Sequence, residues 1–144
     1  MEAAATSHSL DKRRTTAVHF TARLALAFVF AYHGLVPKLL IHHTDETAML
    51  RDAGIGEKQL SIVLTIFGAT ELLLALSLLL FWRRRWPAMV CIGLMCAGTF
   101  GVALSSPRYL VAAFNPVSLN LAVACLALID VLVLNPGKPK ISRA

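Results

Sequence analysis

Residues 60–87 read LSIVLTIFGATELLLALSLLLFWRRRWP, and this stretch decides the architecture. Most of it is a long apolar run, relieved by small or polar residues such as Thr65, Gly68, Thr70 and Ser77 and carrying a carboxylate, Glu71. About 20 such residues in helical conformation match the ~30 Å hydrocarbon core of a bilayer. Arg83, Arg84 and Arg85 then follow between Trp82 and Trp86. Tryptophans beside arginines mark a membrane–water interface, where indole rings sit at headgroup level and positive charge sets orientation. Pro87 suits the first turn of a new helix, because an amide there would have no intrahelical partner anyway. The stretch reads as one span, a short interfacial turn and the start of another span, with the two spans antiparallel neighbours.

Similar windows lie on either side. The expected spans are residues 17–41, 57–82, 87–105 and 117–134, forming one membrane domain over 17–135 between a polar tail (1–16) and a basic tail (136–144). The chain of 144 residues is 57% apolar and only 15% charged, against about 25% charged in soluble domains. The expected fold is an all-α transmembrane four-helix bundle in the lipid bilayer. Lys12, Arg13 and Arg14 ahead of an apolar run look like a signal peptide, and Val29-Phe30-Ala31 fits a small-residue cleavage site. Arg23 interrupts that run and the apolar stretch continues to Ile41, which favours an uncleaved first span.

The net charge of +6 does not point to nucleic acid, because the basic residues sit at span ends and no nucleic-acid motif appears. With both termini inside, Lys12, Arg13, Arg14, Arg83, Arg84, Arg85, Lys138, Lys140 and Arg143 fall on the cytoplasmic side. Arg51, Lys58 and Arg108 fall outside with Asp45, Glu46, Asp52 and Glu57. That asymmetry predicts an N-in/C-in, multi-pass protein, with a bacterial cytoplasmic membrane as the expected location. Cys91, Cys96 and Cys125 lie in apolar segments, and the first two are about 140° apart on a helix, so no dithiol relay is expected. His42-His43 with Asp45 and Glu46 has metal-ligand residue types, but adjacent histidines point apart, and no metal is expected there.

In the first outer loop, Thr44 can cap a short amphipathic helix with Asp45 and Glu46 in its first turn, Arg51 in its last and Gly54 as its stop. Residues 106–116, with Arg108, Tyr109 and Phe114, read as an amphipathic connector, and Asn115-Pro116 opens the fourth span. Asn135-Pro136-Gly137 closes it. Gly93, Ala97, Gly101 and Ser105 recur every four residues, a stripe expected to pack within the chain rather than in a homo-oligomer.

Charged groups in a hydrocarbon layer must face the bundle and find partners. Arg23 and Asp130 lie at similar depths from the inner end, roughly 9 and 6 Å by helical rise, and are expected to form a structural ion pair. From the outer end, Glu71 is about 16 Å deep and His33 about 12 Å, which pairs them, with Lys38 nearer the surface and Asn120 entering from the same side. Arg23, Ala27, Ala31, Gly34 and Lys38 share one face of the first span. Within it, Tyr32-His33-Gly34-Leu35-Val36-Pro37-Lys38 should kink or open, because Pro37 deprives the His33 carbonyl of its partner and Gly34 leaves the turn uncovered. Lys38 there either reaches up to the headgroups or joins a site.

The candidate site is therefore His33, Lys38, Glu71 and Asn120. A carboxylate and an imidazole at mid-depth can hold a proton or hydrogen-bond the carbonyl oxygens of a quinone. The competing reading is a polar latch that keeps four helices in register. No flavin, haem or metal site is legible, so no independent catalytic activity is expected.

Several of these elements resemble the DoxX-like family of small four-helix membrane proteins. They are Arg23 early in the first span, HGLVPKLL from His33 to Leu40, ETAMLRDAGI in the outer loop, Gly68-x-x-Glu71-Leu72, the basic turn, and NPVSLNLA from Asn115 to Ala122. Some relatives are subunits of a thiosulfate:quinone oxidoreductase and others belong to oxidative-stress redox complexes, so the resemblance implies an accessory subunit with a membrane or peripheral redox protein as partner. A small proton-coupled transporter and a purely structural membrane anchor are the alternatives.

Overall fold

A computed structural model describes residues 2–112 and 115–134, with side chains from residue 10 onward. Phe114, the Asn135-Pro136-Gly137 stop and the basic tail lie outside the described residues. The described chain is all α-helical: α1 (Glu2–His33), a π-helical segment (Gly34–Leu40), α2 (Thr44–Asp52), α3 (Glu57–Leu80), α4 (Trp86–Ser105), a 3-10 turn (Pro107–Val111) and α5 (Pro116–Val133). Four helical stretches are long and apolar enough to cross a membrane: Leu10–Leu40, Glu57–Leu80, Trp86–Ser105 and Pro116–Val133. Their outer faces are apolar, with Phe28 70%, Leu73 66% and Leu104 71% exposed. Water would not tolerate such surfaces, and acyl chains would cover them. The protein is an integral, multi-pass membrane protein.

Residues 2–16 of the polar tail are helical, and α1 runs through them into the first span. This part of the chain contains no glycine or proline to end a helix, and Ala3, Ala4 and Ala5 favour one. The hydroxyls of Thr15 and Thr16 bond back to the carbonyls of Asp11 and Lys12 at 2.8 and 2.9 Å.

α1 is the central element, packing against both α3 and α5. Leu26, Ala27 and Phe30 from α1 meet Leu74, Ala75 and Leu78 from α3, Ala88 and Cys91 from α4, and Val123 and Ala127 from α5. α4 leans on α5 and touches α3 only sparsely. The short basic turn makes α3 and α4 antiparallel but does not make them close neighbours along their length. The polar contact that engages α4 lies on the other side: Asn120 of α5 donates to Thr99 at 3.0 Å.

The Gly93–Ala97–Gly101 face of α4 also differs from expectation. All three residues are exposed, and a Cβ added at Gly93 or Gly101 would meet no atom within 4 Å. The stripe therefore receives no other helix among the described residues.

α2 ends at Asp52, and Gly54 takes a positive φ of 87° in the turn beyond, a conformation that costs glycine little. Its N-cap is His43 rather than Thr44, with the His43 ring accepting from the Asp45 amide at 3.3 Å. At the start of α5, the Asn115 side chain accepts from the Ser118 amide at 2.8 Å.

Candidate functional site

Pro37 opens α1 by changing its helical register. From Gly34 to Leu40 the chain is π-helical, a form that bonds each carbonyl to the amide five residues on. That register passes over the missing amide of residue 37 and offers the His33 carbonyl the amide of Lys38, so the carbonyl need not be left free. The same spacing recurs where the Ile41 amide donates to the Val36 carbonyl at 3.0 Å.

The π segment crosses α3 with backbones almost touching. A Cβ at Gly34 would lie 2.6 Å from the Gly68 carbonyl oxygen, and one at Gly68 would lie 2.7 Å from the Gly34 carbonyl oxygen. Both positions therefore require glycine. About one turn beyond each glycine stands a charge, and the close approach brings the two together: Lys38 Nζ lies 3.1 Å from Glu71 Oε2. Lys38 is buried, with 6% of its surface exposed, so it does not extend to the headgroups.

A second carboxylate completes the group. Lys38 Nζ donates to Glu46 Oε1 at 3.0 Å, so one ammonium lies between two carboxylates from α2 and α3. Glu46 brings α2 back over the end of the first span, through a reversal in which His42 adopts a positive φ of 50°. The Asp52 carboxylate, at the other end of that short helix, accepts from Ser106 Oγ and from Arg108, both at 2.8 Å. Glu71 Oε2 is buried yet has no well-aligned hydrogen bond, so its contact with Lys38 is electrostatic rather than a straight N–H···O bond.

The four candidate residues do not all meet. Glu71 pairs with Lys38 instead of His33. His33 is half-buried and makes no hydrogen bond or ion pair among the described residues; its ring lies edge-on to the exposed Tyr32, centroids 6.3 Å apart. Asn120 is engaged with Thr99 on α4 and is not part of the Lys38 group. Depth along a helix indicated which groups share a level, whereas the packing order around the bundle decides which ones touch.

At the opposite end, Arg23 Nε lies 2.8 Å from Asp130 Oδ2, both residues fully buried. His19 joins them, with Nδ1 2.7 Å from Asp130 Oδ1 and Nε2 3.0 Å from the Trp82 carbonyl oxygen. A carbonyl only accepts, so Nε2 carries a hydrogen. The Nδ1 contact then holds one more, on either the ring or the carboxyl group. Arg23 also donates to the carbonyls of Leu78, at 3.3 Å, and Arg84. The cluster thus clamps α1, α5 and the end of α3 with its basic turn. His19 lies four residues before Arg23, on the same helical face, which was the available signal for its membership.

The model of the DoxX-like family matches residues 27–128. The chain belongs to the DoxX-like family. No curated protein and no solved structure matches it. The match contains the π segment, the Lys38–Glu46–Glu71 group, all of α3 and α4 and most of α5, so the Lys38 site lies wholly inside this DoxX-like region. Asp130 and its partners His19 and Arg23 fall just beyond its ends. Among the described residues no group of three His, Cys, Asp or Glu side chains is placed to hold a metal.

Proposed function

We propose that this DoxX-like protein is an accessory subunit of a quinone-linked or oxidative-stress redox assembly in the bacterial cytoplasmic membrane, with no catalytic activity of its own. The observation that carries the reading is His33, an imidazole at membrane depth with no internal hydrogen bond among the described residues, beside the lipid-facing ring of Tyr32. A quinone arriving through the lipid needs a donor for a carbonyl oxygen and an apolar or aromatic surface for its ring, and His33 and Tyr32 fit those needs. The Glu71 carboxylate, held 3.1 Å from Lys38 Nζ, would serve as a proton carrier when the quinone is reduced rather than as its hydrogen-bond donor. When bound, a quinone would supply the two-electron chemistry. The chain's residues would supply binding, orientation and a buried carboxylate–ammonium group. A second reading, proton-coupled transport, is favoured by the two carboxylates flanking one ammonium, because such a group can exchange a proton without leaving a lone charge.

Mass spectrometry of quinone co-purified with the native assembly tests the reading. His33→Ala and Glu71→Gln should both fold; His33→Ala should lower retained quinone roughly two- to ten-fold, the effect of losing one hydrogen bond, and Glu71→Gln should lower the activity of the assembly. A Glu71→Gln protein that retains quinone and supports wild-type assembly activity would leave only the structural anchor. Flux of a substrate into liposomes that depends on pH and is lost in Glu71→Gln would favour the transporter instead.

A further inference from the structure

The end of the bundle away from the Lys38 group carries a second feature, independent of the proposed redox role. Along one face of α1 runs a shallow, open groove lined by Lys12, Arg13, Thr16, Ala17, Phe20 and Thr21, all from this one helix. These positions fall on one side of the helix, at i, i+1, i+4, i+5, i+8 and i+9. The groove is graded along its length. Two cations and the Thr16 hydroxyl lie at one end, and Ala17 and Phe20, with Thr21 beside them, form the less polar end.

The aromatic rings fix where this gradient sits. Phe20 packs against Trp82 with the rings tilted and their centroids 5.5 Å apart, and Trp82 borders the arginine turn at the membrane interface. Lys12 lies eight residues further out along the same continuous helix, roughly 12 Å by helical rise. The cations therefore stand at and beyond headgroup height while Phe20 sits at the boundary with the acyl chains. Arg83 and Arg84 present exposed side chains at the same end. Arg23 and His19 hold the turn by its backbone carbonyls, which leaves those side chains outward. Among the described side chains at this end, Asp11 is the acidic group on the surface; Asp130 is buried with Arg23.

We infer that this groove binds an anionic phospholipid, with the phosphate-bearing headgroup at Lys12, Arg13 and Thr16 and the glycerol and first acyl carbons against Ala17 and Phe20. Charge and polarity together select this ligand. A soluble phosphate would satisfy the cations but leave the apolar end without a role, and a neutral lipid would do the reverse.

The test titrates purified full-length protein in a neutral detergent with phosphatidylglycerol, phosphatidylcholine or inorganic phosphate, following lipid-bound species by native mass spectrometry and thermal unfolding in parallel. Phosphatidylglycerol should bind and raise the melting temperature, with phosphatidylcholine and phosphate giving little effect. K12Q/R13Q should weaken phosphatidylglycerol binding roughly 30-fold, since each surface cation contributes about a five- to six-fold attraction to an anionic headgroup. K58Q/R108Q removes two cations from the other end and should leave binding unchanged. Equal stabilisation by inorganic phosphate, equal binding of both lipids, or equal losses in the two double variants would overturn the assignment. Because both variants change exposed side chains, failure to fold is not the expected outcome. Phe20→Ser at the apolar end supplies an independent check, lowering lipid binding while leaving the cations in place.

Discussion

The buried charges of this protein occur in two groups that respond differently to mutation. In the Arg23–Asp130 cluster every member has more than one partner. Asp130→Leu would leave Arg23 without its counter-ion and His19 with an unmatched Nδ1, and removing one partner of a buried pair costs roughly 3–5 kcal/mol. Arg23→Leu together with Asp130→Leu should melt in detergent above Asp130→Leu alone, yet below the wild type, because the Leu78 and Arg84 carbonyls also lose their donor. A double variant that melts no higher than the lower single variant would show that the two residues do not act as a pair. The Lys38 group behaves otherwise, since Glu46 can hold Lys38 after Glu71→Gln. This redundancy is the reason the glutamine variant is expected to fold.

At the scale of elements, the crossing of the π segment over α3 is the tightest contact and the one most exposed to a single methyl group. In Gly68→Ala the new Cβ would meet the Gly34 carbonyl oxygen at 2.7 Å and Leu39 Cγ at 2.8 Å. Leu39 can rotate, but a backbone carbonyl cannot, so the helices must separate. Overpacking of this kind costs roughly 1–3 kcal/mol. The melting temperature should fall below the wild type, and Gly34→Ala should give a similar loss, because its Cβ would meet the Gly68 carbonyl oxygen at 2.6 Å. Gly101→Ala is the control, because nothing lies within 4 Å of that position. An equal loss of stability at Gly101 would mean that the open face of α4 is covered by something outside this chain.

For the whole molecule, the charge asymmetry between the two ends supports an orientation with both termini in the cytoplasm. In intact cells a cysteine placed between Asp45 and Glu57 should react with a membrane-impermeant thiol reagent, and one beside Arg84 should react only after lysis. The Cys91→Ala/Cys96→Ala/Cys125→Ala background removes the native thiols. The reverse labelling pattern would invert the orientation. It would also place the α1 groove in the other leaflet without altering its chemistry.

Sequence alone determined the membrane-spanning helical class, since apolar runs of span length and interfacial Trp–Arg clusters are local properties that lipid imposes directly. It also marked the residues that must be solved by packing: Arg23, Lys38, Glu71 and Asp130 could not remain unpaired in hydrocarbon, and Pro37 had to disturb its helix. Partner choice was a different matter. Depth along a helix follows from residue number, so Arg23 and Asp130 could be matched by counting. The angle around the helix at His33 and Lys38 depends on the π register, which turns the segment after Gly34 by a different amount from an α-helix. That register, together with the order in which α3 and α5 pack around α1, decided that Glu71 meets Lys38 and that Asn120 meets Thr99. Glu46 was further from view, because its place beside Lys38 depends on the chain reversal at His42 and on the Asp52–Ser106–Arg108 contacts at the far end of α2. These are contacts between segments distant in sequence, and only the tertiary structure brings them together.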